Sequence, residues 1–201
     1  PAEEVIINPA VLETLPEREY YNGLAEVIKH ALLDTEDEYL FDLIDRKRKE
    51  IIKRDDRILE GLILRSLKVK ARYVENDPKE KGIRGHLNLG HTFAHALESY
   101  GGFSEKSHGE AVAWGIAKAM DTGVEMGLTD PGYAEKVKRI LGGYGYEIAG
   151  LDFDAGGIIS AMKFDKKKKN NRVRFILQRR RGETFFSEVP EEILYKVLGR
   201  G

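Results

Sequence analysis

The strongest restriction on the fold comes from residues 109–128, which read GEAVAWGIAKAMDTGVEMGL. This segment is rich in alanine and glycine and has few branched side chains, so the backbones of neighbouring elements can approach it closely. A helix of this composition suits the middle of a bundle better than its surface. We therefore predict that residues 109–128 form a central helix against which the rest of the chain packs.

The apolar pattern elsewhere predicts a mainly α fold with small β elements at the two ends of the chain. EEVIINP, at the N-terminus, alternates like a short strand, whereas RVRFILQ and ETFFSEV flank RRRG as a β-hairpin near the C-terminus. Thr129 or Asp130 can cap the helix that has Pro131 at its first position. Helices are predicted in residues 14–33, 58–74, 87–98, 109–128, 129–141, 154–163 and 190–198, and one or two amphipathic helices in residues 35–54.

Composition excludes several classes of function. Lys and Arg number 33 and Asp and Glu 34, so no net positive field favours nucleic acid. The absence of cysteine excludes disulfides, thiolate metal ligands and a cysteine nucleophile, and it fits a reducing compartment. No apolar run approaches the roughly 20 residues that cross a bilayer, and the N-terminus has no secretory signal pattern. We expect a cytoplasmic protein that binds neither nucleic acid nor a membrane.

Two histidines lie four residues apart in the otherwise apolar stretch LNLGHTFAHALE, residues 87–98. If its helix begins slightly earlier, Arg84, Asn88, His91 and His95 lie along one side of it, one turn apart. Burying such groups without partners costs on the order of 1–3 kcal/mol each. The stripe therefore suits the wall of a polar pocket, although histidines satisfied by neighbouring groups remain the simpler interpretation. Thr92 replaces the glutamate of an HExxH zinc protease motif, which argues against that class.

A catalytic zinc commonly takes three protein ligands from histidine and acidic side chains. Glu26, His91 and His108 would supply such a set from three separate segments. His30, four residues after Glu26, is a rival ligand, and His86 is a weaker one. Spacing alone leaves this choice open.

Lysines supply the remaining candidates. Lys29 lies one turn from Glu26, either as a simple surface ion pair or as a member of the same pocket. Lys70 lies on the helix that precedes Arg84. The run DKKKKNN, residues 165–171, is either a solvated loop or a source of contacts to phosphate or carboxylate.

Four motifs, in order along the chain, resemble the C-terminal half of the 3-dehydroquinate synthase family. They are GLAEVIKH, GIRGHLNLGHTFAHALE, HGEAVAWG and DKK followed by RVRFIL, with Ala94 where the family usually has glycine. The resemblance implies that residues 1–201 form the metal- and substrate-binding helical domain of the dehydroquinate synthase-like fold. Such a domain faces an N-terminal NAD-binding domain across a cleft, in an enzyme that is expected to be a homodimer.

The family is a carbon–oxygen lyase of the shikimate pathway, which leads to the aromatic amino acids. It converts the sugar acid phosphate DAHP to 3-dehydroquinate and phosphate, using NAD transiently together with Zn²⁺ or Co²⁺. Other sugar-phosphate cyclases, such as 2-deoxy-scyllo-inosose synthase and 2-epi-5-epi-valiolone synthase, are the nearest alternatives. A non-catalytic helical binding domain is an alternative from another class.

By motif position, the resemblance implies that Glu26, His91 and His108 are the metal ligands. It implies a catalytic, substrate-contacting role for Lys29 in the metal pocket. The implied substrate-binding residues are Lys70 and Arg84 at the carboxylate, and Asn88, His95 and Lys166 near the phosphate, with His95 also assisting proton movement.

A glycine-rich nucleotide-binding turn after a strand does not occur in the 201 residues. We therefore expect that the NAD-binding domain is absent from this chain. We also expect the chain alone to hold NAD poorly and to have little or no synthase activity.

Overall fold

The computed structural model describes residues 3–101, 106–149, 153–167 and 174–199. Within these ranges the chain forms nine α-helices, two 3₁₀ helices and one two-stranded antiparallel sheet. The mainly α fold predicted from the sequence is confirmed. The helices are α1 (Glu17–Leu33), α2 (Tyr39–Arg46), α3 (Arg48–Ile52), α4 (Asp56–Asn76), α5 (His91–Tyr100), α6 (His108–Glu125), α7 (Pro131–Gly143), α8 (Ala155–Lys167) and α9 (Glu191–Leu198). The strands are β1 (Phe175–Gln178) and β2 (Thr184–Ser187).

Helix α6 occupies the centre of the fold, as its composition predicts. Its residues are buried along most of its length, and α1, α5, α7, α9 and β1 pack around it. A Cβ atom at Gly115 would lie 2.2 Å from the Gly90 carbonyl oxygen, and one at Gly109 would lie 2.5 Å from the Asn22 Cα atom. Glycine at these two positions therefore allows the start of α5 and the middle of α1 to reach the central helix.

The starts of α6 and α7 follow from their capping residues. Ser107 and Glu110 form a reciprocal capping box at α6, in which each side chain bonds the backbone N–H of the other residue. The Asp130 side chain accepts a hydrogen bond from the Tyr133 N–H, with Pro131 at the first helical position. Of the two residues predicted as possible caps of α7, the structure thus uses Asp130.

One continuous helix carrying Arg84, Asn88, His91 and His95 does not form, and that prediction was wrong. Arg84 and Asn88 lie in a separate 3₁₀ helix, Ile83–Asn88, and α5 begins only at His91. Gly90 separates the two helices with a φ of 81°, a left-handed conformation that glycine adopts without a steric penalty. The close approach of Gly90 to α6 fixes this turn, which the polar and apolar pattern does not reveal.

The short strand predicted at the N-terminus was also wrong. Residues 3–8 form no strand, and Pro9–Glu13 form a 3₁₀ helix capped by Asn8. Val5 and Ile6 are 74% and 84% exposed. A strand requires a paired partner, and within the described residues this segment has none.

The C-terminal hairpin is confirmed, and it packs against the carboxyl end of α1. Strand β1 pairs with β2 in the register Phe175 to Ser187 and Gln178 to Thr184. The Gly182 N–H and the buried Gln178 amide both donate to the Leu32 carbonyl oxygen, at 2.8 and 2.9 Å. The hairpin thereby satisfies a backbone carbonyl near the end of the helix that carries Glu26 and Lys29.

Within the described ranges, no helix is both long enough and apolar enough to cross a membrane.

Candidate metal centre

Three side chains with metal-ligating atoms converge where α1, α5 and α6 meet. Glu26 comes from α1, and His91 and His108 are the first residues of α5 and α6. One potential ligand atom from each residue lies within 4.8 Å of the others. The Nε2 atoms of His91 and His108 are each 3.8 Å from the Glu26 Oε1 atom. The fold therefore brings together the three residues predicted as ligands.

The starts of two helices determine the positions of the histidines. His91 directly follows Gly90, whose carbonyl oxygen lies against Gly115 of the central helix. His108 directly follows the Ser107 cap of that same helix. Both imidazoles are consequently anchored to α6, against which α1 also packs.

The carboxylate of Glu26 has one satisfied oxygen and one unsatisfied oxygen. Its Oε2 atom accepts a hydrogen bond from Lys29 Nζ at 2.7 Å, while its buried Oε1 atom has no hydrogen-bond partner. Burial acts to raise the pKa of Glu26, but the charge and hydrogen bond of Lys29, helped by His91, hold that pKa below its usual value. A buried anionic oxygen without a partner is costly, and a cation between Glu26 and the histidines would satisfy it.

His91 is neutral and oriented for coordination. Burial, and next the positive charge of Lys29, lower the pKa of His91 to about 4. Its Nδ1 atom lies 3.3 Å from the Leu89 carbonyl oxygen, which can only accept a hydrogen bond. The proton therefore belongs on Nδ1, and the Nε2 lone pair is available on the side of Glu26.

His108 has a different partner, which the sequence analysis missed. Its Nδ1 atom lies 3.0 Å from Oε1 of Glu98, whose side chain is only 11% exposed. Glu98 follows His91 by seven residues, which is two helical turns and therefore the same face of α5. That spacing was the signal in the sequence that could have identified it.

The donor set fits a divalent transition metal. One carboxylate oxygen and two imidazole nitrogens are ligands that Zn²⁺ and Co²⁺ accept, and three protein ligands leave a position for substrate. The Glu26 Oε1 atom, which has no hydrogen-bond partner, faces both histidine Nε2 atoms. The three residues therefore match a divalent metal ion in the position of their ligand atoms as well as in their chemical type.

The two rival histidines lie outside this set. The His30 Nδ1 atom is 2.7 Å from the Ser66 hydroxyl oxygen in the core, and burial lowers the pKa of His30 to about 4. His86 packs between Tyr73 and Phe186, with ring centroids 6.2 and 4.9 Å away. For these two histidines, the simpler interpretation, satisfaction by neighbouring groups, is the one that the structure supports.

Lys29, Lys70 and His95 lie around the metal-ligating residues. Lys29 is buried, and desolvation lowers its pKa despite the opposing charge of Glu26; the charge of Lys70 adds to this lowering. The Lys70 and His95 side chains are exposed. The His95 ring centroid is 5.5 Å from that of His91, in an edge-to-face arrangement. One buried and two exposed basic groups therefore lie near the candidate centre.

Arg84 and Asn88 are held by the loop that precedes their 3₁₀ helix. The Arg84 guanidinium donates to the Pro78 carbonyl oxygen at 2.9 Å, and the Asn88 amide donates to Glu80 at 3.2 Å. The Asp77 carboxylate accepts backbone N–H groups of this loop, including that of Arg84 at 3.1 Å. Asp77 therefore anchors the loop that leads to Arg84 and Asn88.

The prediction for Lys166 falls outside the described side chains. Helix α8 extends through this residue to Lys167, and the rest of the lysine run lies beyond the described backbone.

The sequence model of the 3-dehydroquinate synthase C-terminal family matches residues 23–168. A bifunctional 3-dehydroquinate synthase/phosphatase of Fusobacterium nucleatum is 35% identical over 98% of this chain and 29% of its own length. A 3-dehydroquinate synthase of Dehalococcoides mccartyi is 38% identical over 92% of this chain and 50% of its own length. The chain thus spans half or less of these curated relatives.

Two solved synthase structures share the fold of this chain. The structure of 2-epi-5-epi-valiolone synthase from Streptomyces hygroscopicus, with NAD⁺ and Zn²⁺ bound, has a TM-score of 0.84 at 23% identity, covering 96% of this chain and 53% of that one. A 2-deoxy-scyllo-inosose synthase complexed with carbaglucose-6-phosphate, NAD⁺ and Co²⁺ has a TM-score of 0.68 at 21% identity, covering 96% and 54%. At 21–23% identity, these comparisons show a shared fold alone.

Proposed function

Because this chain belongs to the 3-dehydroquinate synthase C-terminal family, we propose that it is the metal- and substrate-binding domain of a 3-dehydroquinate synthase. The complete enzyme would convert DAHP to 3-dehydroquinate and phosphate as a carbon–oxygen lyase. The 3-dehydroquinate synthases among its relatives, at 35–38% identity, support this reaction over other chemistry on the same fold.

One observation supports the proposal most strongly. Glu26 Oε1 is buried without a hydrogen-bond partner, and it faces the Nε2 atoms of two histidines that are 3.8 Å away. An ordinary structural cluster would pair this oxygen with a donor, as Lys29 pairs with the other oxygen of the same carboxylate. This geometry supports a cation-binding site at the three residues.

In this proposal Glu26, His91 and His108 hold Zn²⁺ or Co²⁺. When bound, the metal would act as a Lewis acid toward substrate hydroxyl groups and lower their pKa. The three protein ligands would hold it where α5 and α6 begin, and they would leave a coordination position for the substrate.

Lys29 would be the catalytic cation beside the metal. It donates to Glu26 Oε2 at 2.7 Å and so leaves Oε1 for the metal. Since burial lowers its pKa, Lys29 holds its proton less tightly than a surface lysine does. It can therefore donate a hydrogen bond to a substrate hydroxyl group and share that proton with it.

The remaining residues would bind the two anionic ends of the substrate. Lys70 and Arg84 are proposed to contact the carboxylate, because a guanidinium can bind two oxygens at once. Asn88, His95 and Lys166 are proposed to contact the phosphate. His95, which is exposed beside His91, would also accept or return a proton as phosphate leaves.

NAD would be held mainly by a separate N-terminal domain. Solved structures with this fold contain bound NAD⁺, and the curated relatives contain additional chain outside the matching region. The coenzyme supplies transient hydride transfer to and from the substrate. The residues of this chain would orient the substrate and limit the access of water. A homodimer remains the expected assembly.

A second candidate is a cyclase that acts on another sugar phosphate. It is favoured by the solved structures that share this fold, which are 2-epi-5-epi-valiolone and 2-deoxy-scyllo-inosose synthases. The substrates of those enzymes lack a carboxylate, so a carboxylate contact by Lys70 and Arg84 separates the two candidates.

A substrate comparison tests the proposed function. This chain would be joined to the N-terminal half of the Dehalococcoides mccartyi relative, supplied with NAD⁺ and Zn²⁺, and assayed for phosphate release. We expect release from DAHP, its loss in His91→Ala, and a raised KM for DAHP in Arg84→Ala. Turnover of a sugar phosphate without a carboxylate, but not of DAHP, would contradict the assignment.

A further inference from the structure

Glu98 links the helix that begins with His91 to the imidazole of His108. It lies on α5, the helix that begins with His91, and its Oε1 atom is 3.0 Å from Nδ1 of His108 on α6. The Nε2 atom on the opposite side of that imidazole is 3.8 Å from Glu26 Oε1. The ring of His108 thus lies between two carboxylates, with a different nitrogen directed to each.

His108 needs such a partner more than His91 does. The His108 side chain is 47% exposed, whereas that of His91 is 13% exposed. The Nδ1 atom of His91 also lies near a backbone carbonyl oxygen, that of Leu89, which no substitution removes. Glu98, by contrast, is a side-chain partner of the more exposed His108 ring, and a substitution can remove it. The effect of that removal on metal binding can therefore be measured.

The carboxylate also decides which nitrogen of His108 carries the proton. An ionised carboxylate only accepts hydrogen bonds, so Nδ1 keeps its proton and Nε2 presents a lone pair. A negative partner on one ring nitrogen increases the basicity of the other nitrogen, which strengthens it as a metal ligand. We propose that Glu98 is a positioning residue of the metal centre, which sets the tautomer and orientation of His108 for a divalent cation.

This inference rests on the proposed metal centre, and a simpler structural interpretation of the same contact exists. Glu98 and His108 could simply form an ion pair that links α5 to α6 without affecting the metal. An ion pair of that kind would influence the stability of the apo chain and leave metal affinity and ligand field unchanged. Metal affinity and the spectrum of a bound metal therefore separate the two interpretations.

The test uses the 201-residue chain with Zn²⁺ and Co²⁺. Zn²⁺ affinity and the visible absorption of bound Co²⁺ would be measured for the parent chain, Glu98→Gln and Glu98→Ala. Glu135→Gln is the matched control, because Glu135 is an exposed glutamate that pairs with Lys138 on α7. We expect Zn²⁺ affinity to fall about 10-fold in Glu98→Gln and towards about 100-fold in Glu98→Ala. The Co²⁺ spectrum should change in both Glu98 variants and stay as in the parent for the control.

Glu98→Gln is nearly isosteric, so it keeps the test informative if Glu98→Ala does not fold. Parent-like Zn²⁺ affinity and an unaltered Co²⁺ spectrum in Glu98→Gln, while His91→Ala loses the metal, would overturn the role of Glu98 and leave the centre intact. A parent chain that binds neither ion would overturn the metal centre, and the role of Glu98 with it.

Discussion

His30 and His91 are two histidines with similarly depressed pKa values but different surroundings. Burial and the charge of Lys29 lower the pKa of each to about 4. His30 pairs with Ser66 in the core, at 2.7 Å, whereas the Nε2 atom of His91 is directed to Glu26. A neutral imidazole therefore serves packing in the first case and is available for coordination in the second.

The buried His30 predicts acid sensitivity of the metal-free fold. Its folded-state pKa of about 4 lies below the usual 6.5, so the stability it contributes is present above about pH 6.5 and is lost as pH falls towards 4. The shift corresponds to roughly 3 kcal/mol. Urea unfolding with a chelator present should show the free energy of unfolding falling over this range, with a smaller fall in His30→Gln. An identical pH dependence in that variant would refute the assignment.

At the scale of elements, the contact between α5 and α6 positions the metal-ligating histidines. Gly115 lies where a Cβ atom would meet the Gly90 carbonyl oxygen at 2.2 Å and the Ala94 nitrogen at 3.0 Å. Both neighbours are backbone atoms, so any side chain at this position forces the start of α5 away from α6. Since His91 is the first residue of α5, the displacement would reach the metal ligands directly.

We accordingly expect Gly115→Ala to destabilise the chain by about 1–3 kcal/mol and to weaken Zn²⁺ binding. Gly142→Ala is the matched control, because Gly142 is also helical and a Cβ atom there would meet nothing within 4 Å. Alanine should leave stability there unchanged or raise it by up to about 1 kcal/mol. Denaturant unfolding and Zn²⁺ titration provide both measurements. A Gly115→Ala chain that matches Gly142→Ala in stability and in affinity would argue against this contact.

The helices could be predicted because their signals are local. Composition identified α6, and Asp130 with Pro131 marked the start of α7. The break at Gly90 was missed because its left-handed turn depends on a contact with α6, 25 residues along the chain at Gly115. The N-terminal strand failed for a related reason: alternation of apolar residues is a local pattern, but strand pairing is not.

At the scale of the whole molecule, three helices that pack together create one polar centre. Ligand chemistry allowed Glu26, His91 and His108 as a set, the family resemblance implied it, and the fold brings one ligand atom from each within 4.8 Å of the others. Sequence spacing could not rank them above His30 or His86, because convergence depends on tertiary packing. For Glu98, its seven-residue spacing from His91 indicates a shared face of α5, but its contact with His108 on another helix depends on tertiary packing.

Zn²⁺ titration calorimetry of the chain tests the central claim most directly. We predict one Zn²⁺ bound per chain and at least about 100-fold weaker binding in His91→Ala. His86→Phe is the control, because it removes a histidine outside the centre and keeps a ring between Tyr73 and Phe186. Its Zn²⁺ affinity should equal that of the parent. Parent-like Zn²⁺ binding by His91→Ala, or no Zn²⁺ binding by the parent chain, would contradict the metal centre.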